Sequence, residues 1–149
     1  MTKPLWQCPK CRRRFANRNQ QHACGRHTLA AYLKGKDPTM VALYEELAAL
    51  IRKCGPLTLE ATKSRIQFKV RMTFASLDIK KRWLDVGLIF AKRVEHPRFT
   101  GIWSVSPRNH LHTLRIASAD DLNDQLAGWL RQAYAVGEQK HLGPVGLRP

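Results

Sequence analysis

Hydrophobic positions in this chain repeat with two different periods. In the stretch 40–51, Met40, Leu43, Tyr44, Leu47, Leu50 and Ile51 recur at three- and four-residue intervals, with Glu45, Glu46 and Lys53 off that stripe, which predicts an amphipathic helix. Asp37-Pro38 supplies its start as N-cap and first-turn proline, and Gly55-Pro56 its end. A second helical stripe, Leu122, Leu126, Trp129, Leu130 and Ala133, predicts a closing helix. Ser118 is its expected cap, with Asp120 and Asp121 at its positive end.

Between the two helices the period drops to two. Residues 65–71 alternate, with Ile66, Phe68 and Val70 on one face and Arg65, Gln67, Lys69 and Arg71 on the other. Further strands are predicted at Thr73–Ile79, 83–90, 99–105 and 110–116, separated by turn-forming segments such as Lys80-Lys81-Arg82 and Ser106-Pro107-Arg108-Asn109. A short helix is expected over 28–33. The chain therefore reads as α+β. A small N-terminal finger with a basic connector occupies 1–36. An antiparallel sheet packed by an N-terminal and a C-terminal helix follows over 37–138, and a Gly- and Pro-rich flexible tail over 139–149.

The finger is predicted from cysteine placement. Three of four cysteines fall within the first 24 residues, and without a secretory leader such clustering points to metal rather than disulfides. Cys8-Pro9-Lys10-Cys11 has the spacing of a knuckle, and His22 and Cys24 follow. Four ligands of soft sulfur and imidazole nitrogen make a closed, structural Zn(2+) site. His27 is the alternative to His22 or Cys24, because His22 and His27 have helical-finger spacing. Trp6 and Phe15 flank the knuckle as a small apolar cluster. Cys54 reads as a small buried apolar residue.

Charge adds the partner. Twenty-six Lys and Arg oppose 11 Asp and Glu, for a net charge of +15, and the first 36 residues carry nine cations and no acid. That asymmetry describes a basic module attached to a more balanced body, and polyanions are its natural partners. Arg12, Arg13, Arg14 and Arg18 at the knuckle are expected to meet phosphates. Lys69 and Arg71 on the exposed strand face, and Lys80, Lys81 and Arg82 at the turn, extend that set. The expected function is non-enzymatic nucleic-acid binding, DNA before RNA. A protein-interaction or accessory module whose finger docks on an acidic protein is the alternative, and an enzyme using a pocket between sheet and helices ranks behind both. No apolar run approaches a membrane span, and a soluble cytoplasmic protein is expected.

Catalytic signals are thin. His110 and His112 share a strand face but lack a neighbouring carboxylate, and Asp78-Ile79-Lys80 is half of a nuclease-type acid-x-Lys element. No phosphate-cradling or nucleophile motif is present, and no catalytic residue is assigned.

These residues also carry a resemblance. Trp6-Gln7-Cys8-Pro9-Lys10-Cys11, Phe15-Ala16-Asn17 and His22-Ala23-Cys24-Gly25 resemble the front of a bacterial domain-of-unknown-function family, in which a Cys/His finger precedes a compact α+β domain. Leu43-Tyr44, Lys63-Ser64-Arg65-Ile66, Phe74-Ala75, Trp129-Leu130 and Ala133-Tyr134 extend the likeness over nearly the whole chain. The α+β part is distantly similar to the MmcQ/YjbR-like group, which implies a curved antiparallel sheet of a kind proposed to bind DNA. Arg12 departs from the pattern, standing where a small residue, often Gly, follows the knuckle.

Overall fold

The computed structural model describes residues 4–9, 12–18 and 27–140. Two short strands, β1 (Trp6–Gln7) and β2 (Arg14–Phe15), pair antiparallel with Trp6 opposite Phe15. They are followed by α1 (Leu29–Leu33), α2 (Pro38–Arg52), β3 (Thr58–Ala61), β4 (Ile66–Lys69), β5 (Thr73–Ile79), β6 (Leu84–Phe90), β7 (Phe99–Ser106), β8 (Asn109–Ile116) and α3 (Asp124–Gly137). The last six strands form one antiparallel sheet in the order β3-β4-β5-β6-β8-β7. This agrees with the α+β expectation, and β3 is an addition to it.

The helix starts follow local chemistry. Thr28 Oγ1 accepts from the Ala31 amide to open α1, and Asp37 Oδ1 accepts from the Thr39 and Met40 amides to open α2. The expected Ser118 cap of the closing helix is corrected. Ser118 precedes a separate 3-10 turn, Ala119–Asp121, and Asn123 caps α3 by accepting from the Leu126 amide. An aspartate inside that turn causes the offset, because the Asp121 carboxylate accepts from the Ala117 and Ser118 amides and closes the turn early.

The core lies on one face of the sheet. Ile66 and Phe68 of β4, Leu77 and Ile79 of β5, Leu84, Val86, Leu88 and Phe90 of β6, and Leu114 and Ile116 of β8 are all buried there. Leu43, Leu47 and Ile51 of α2 and Leu126, Leu130 and Ala133 of α3 cover them. Tyr32 of α1 is buried in the same cluster. Its hydroxyl accepts from the Ile79 amide and donates to Asp78 Oδ1, so α1 belongs to the body although the sequence division at 36 counts it with the connector.

Two close contacts tie the helix ends to the sheet. Tyr134 Oη donates to the Pro56 carbonyl at 2.6 Å. The Gly137 carbonyl accepts from the Arg71 and Met72 amides at the β4–β5 turn. A Cβ on Gly137 would lie 2.6 Å from Phe74 Cδ1, so only glycine lets the end of α3 sit there. The β4–β5 ladder shifts register at Phe68/Lys69, and the bulge lets the adjacent residues Phe74 and Ala75 both be buried.

Candidate functional site

No helix among the described residues covers the opposite face of the sheet, and the strand registers decide what it displays. One row runs across all six strands: Glu60, Gln67, Ser76, Gly87, Thr113 and Gly101. From β4 onward these side chains are short apart from Gln67, and Gly87 and Gly101 have none. Next to this row Asp78, Asp85 and Arg115 stand opposite one another on β5, β6 and β8, with Arg65 at the start of β4. On its other side lie Leu111 and Trp103, which are cross-strand partners. The result is an open groove of about 360 Å³, whose lining includes Arg65, Ser76, Asp85, Thr100, Thr113 and Arg115.

Both ends of the groove are built up. At the β7 end the Trp103 ring folds over Gly101, where a Cβ would collide with it. Trp103 remains 55 % exposed and Val105 66 % exposed, the large apolar side chains most open to solvent among the described residues. The backbone bulges between Phe99 and Gly101, which turns Thr100 so that its Oγ1 lies 2.8 Å from Thr113 Oγ1.

At the β3–β4 end the hairpin of β1 and β2 docks on the sheet. Lys69 Nζ forms an ion pair with Glu60 Oε2 at 3.1 Å, stands 4.3 Å from the centre of the Phe15 ring and donates to the Arg14 carbonyl. Arg13 reaches the other Glu60 oxygen, Oε1, at 3.3 Å. The expected exposed cationic strand face is thus corrected at Lys69, which is buried. Its position on the open face matches the alternation, but the hairpin covers it.

The hairpin turn has the tight geometry a knuckle requires. The Cys8 amide donates to the Arg13 carbonyl and the Arg12 amide to the Cys8 carbonyl, both at 2.8 Å. Arg12 adopts φ 65°, the left-handed conformation that glycine adopts without cost and other residues rarely enter. The chain keeps the turn in spite of the residue found there. Cys8 is buried, and Trp6 and Phe15 stack with ring centres 6.1 Å apart. The other proposed zinc ligands, Cys11, His22 and Cys24, lie outside the described residues, while His27 is exposed just before α1. Among the described residues no three His, Cys, Asp or Glu side chains form a metal-binding group.

The remaining cations divide into two classes. Arg12, Arg14 and Arg18 on the hairpin are exposed, as are Lys80, Lys81 and Arg82 in the β5–β6 turn. Arg13 and Lys69 are used in docking, and half-buried Arg71 donates from Nε to Gln139 Oε1 at 2.8 Å. Lys80 pairs with Asp78 at 3.0 Å, a contact that raises its pKa.

The enzyme-like features are occupied by structural contacts. His112 is fully buried between Phe90 and Phe99. Its Nε2 accepts from the Val94 amide at 2.8 Å and its Nδ1 faces the His110 carbonyl at 2.9 Å. Burial holds its pKa below the ordinary histidine value. His110 faces Ser104 Oγ at 3.0 Å. The register sets Asp85 across from Asp78, an acid that sequence inspection of the acid-x-Lys element did not find. Each is already engaged: Asp78 by Lys80 and Tyr32, and Asp85 by the Trp83 indole at 3.0 Å and by Arg115 at 3.8 Å.

Residues 29–137 match the family model of a domain of unknown function, DUF5655. That span runs from α1 to the last residue of α3, the body with its groove, and leaves the hairpin outside. No curated protein and no solved structure matches the sequence. No helix among the described residues is long and apolar enough to cross a membrane.

Proposed function

The chain belongs to the DUF5655 family, and we propose that this member is a zinc-anchored, non-enzymatic nucleic-acid-binding protein that contacts mainly phosphate. The observation that carries this reading is the division of labour within the hairpin. Arg13 faces the sheet and pairs with Glu60, while Arg12, Arg14 and Arg18 point into solvent from a backbone that docking holds in place. Cations on a fixed backbone meet phosphates with less ordering cost than cations on a loose tail. The net charge of +15 supplies the long-range attraction.

Zinc fits what the hairpin contains. Cys8 lies in a tight turn of the kind that a C-x-x-C knuckle needs, and a hairpin of two-residue strands is too small to fold by burial alone. Cys8, Cys11, His22 and Cys24 would hold one structural ion, with His27 as the substitute ligand. The ion would fix the turn, and the arginines would do the binding. The bacterial finger-bearing resemblance and the likeness to the MmcQ/YjbR-like group belong to the same proposal.

The test joins metal analysis to a salt titration on one preparation purified in high salt. About one zinc per chain is expected. With five phosphates engaged, log affinity for duplex DNA should fall against log salt with a slope of about −4 to −5. The Arg12→Ala, Arg14→Ala, Arg18→Ala triple variant should flatten that slope by about 2 to 3, one phosphate per arginine. It spares Arg13, so docking is preserved. A slope near zero in the unaltered protein overturns the reading. Zinc without nucleic-acid binding would move the protein to the class that docks on an acidic protein.

A further inference from the structure

We infer that the open-face groove seats a single strand of nucleic acid, with a base stacked on Trp103; this rests on the nucleic-acid reading above and sharpens it. The shape comes first. The lining runs from Arg65 at the start of β4 to Thr100 on β7, four strand-to-strand steps or about 19 Å at the usual strand spacing, enough for a short run of nucleotides. Its floor is low because Ser76, Gly87 and Thr113 fall in one line across the strands, and the Trp103 ring over Gly101 bounds it at the β7 end. A duplex about 20 Å across could touch only the rim of such a groove, whereas a single strand can lie along it.

The chemistry agrees with the shape. Single-stranded sites combine a cationic track for the backbone with aromatic faces on which bases stack. Trp103 offers an indole on the rim, held by its contact with Gly101, and at 55 % exposure one of its faces is open. Arg65 is exposed at the groove wall; its backbone bonds to Thr62, while its guanidinium meets no hydrogen-bond or ion-pair partner among the described residues. Arg115 stacks over the Trp83 ring at 4.4 Å, which orients its guanidinium along the same wall. The two aspartates of the groove do not repel an anion strongly, since each is paired with a cation. Thr100, Thr113 and Ser76 provide hydroxyls that can donate to or accept from a base edge of either kind.

Charge complementarity selects the occupant. Exposed Arg12, Arg14 and Arg18 ride on the hairpin at the Glu60 end, and Lys81 and Arg82 extend from the β5–β6 turn beside the Arg65 wall. The groove therefore runs between cations toward an aromatic rim. An acidic peptide would leave Trp103 and the hydroxyl row unused, and a second copy of this chain would bring +15 against +15.

The experiment uses the full chain and two fluorescein-labelled probes, a mixed-sequence 12-nucleotide single strand and the 12-base-pair duplex containing it. The unaltered protein should bind the single strand more tightly. Trp103→Ala should weaken single-strand binding by about 5- to 100-fold, the range of one base–aromatic stack, and change duplex affinity by less than two-fold. Trp103→Phe should recover most of the loss, because it keeps a ring at an exposed site. Tighter duplex binding, or unchanged single-strand binding by Trp103→Ala, overturns this inference and leaves phosphate binding intact. Failure to bind either probe removes the nucleic-acid reading itself. A change of Trp103→Ala from dimer to monomer in sedimentation would also overturn the inference, by showing that a second copy covers the face.

Discussion

The body of this protein buries Phe68, Phe74 and Phe90 completely and backs them with fully buried aliphatic side chains from α2, α3 and four strands. Among the described residues of the hairpin only Cys8 and Phe15 are buried, and at the centre of its docking stands one carboxylate, Glu60, shared by Arg13 and Lys69. The first region is held by apolar area, which has no preferred direction. The second is held by charged groups and a ring in fixed geometry, where losing one partner strands the others. Charge pairing in fixed geometry lets a short, cation-rich segment keep an ordered place on a sheet.

The largest effect is expected in the body. Phe68→Ala should cost about 3–5 kcal/mol in urea-induced unfolding, because a fully buried phenyl leaves a cavity that its neighbours cannot close. Hairpin and body should unfold together, since Lys69 is the next residue and is the docking post. Survival of the docked hairpin after the body has melted would show that the hairpin does not depend on the body's core.

Glu60→Gln should cost less, about 1–3 kcal/mol, because the freed cations can regain water as the hairpin lifts away. Hydrogen exchange should speed up at the Trp6 to Phe15 amides and stay slow in β5 and β6. Uniform loss of protection across the sheet would show that Glu60 is a body residue rather than a docking one.

The smallest effect concerns the buried polar group of the body. His112 is held neutral, with its pKa below the ordinary value because of burial. The unfolded chain thus binds a proton at higher pH than the folded one, and stability rises with pH in that range. The stability is fully present above about pH 6.5 and falls by at most about 1.4 kcal/mol per pH unit below it, until the folded-state pKa is passed. His112→Gln should remove that acid-side slope. An unchanged slope in the variant would assign it to other groups.

Much of the fold was legible in the sequence. The α2 stripe with its Asp37 cap, the alternation through β4 and β6, and the turn signals placed five of the six strands of the body. β3 escaped because Thr58-Leu59-Glu60-Ala61 is too short for its alternation to stand out, and with it went Glu60, the centre of the docking contact. Lys69 was placed on the correct face, but its burial depends on a hairpin 55 residues earlier in the chain, which local periodicity cannot report. The groove was hidden for a related reason. Ser76, Gly87, Thr113 and Gly101 form a row only through the registers of four separate strands, and the bulge before Gly101 shifts one of them. The misfit of Arg12 was visible beforehand, and φ 65° is its physical content.

The bulges of β7 have a further consequence for life at high concentration. As the last strand of the sheet, β7 turns outward the backbone donors and acceptors that do not pair with β8, a template on which a stray strand could grow. Register breaks between Phe99 and Gly101 and between Ser104 and Ser106 confine its regular pairing to four residues. An outer edge interrupted at both ends is a poor seed for edge-to-edge aggregation, so Trp103 can stay exposed on that strand with less risk of drawing chains into fibres.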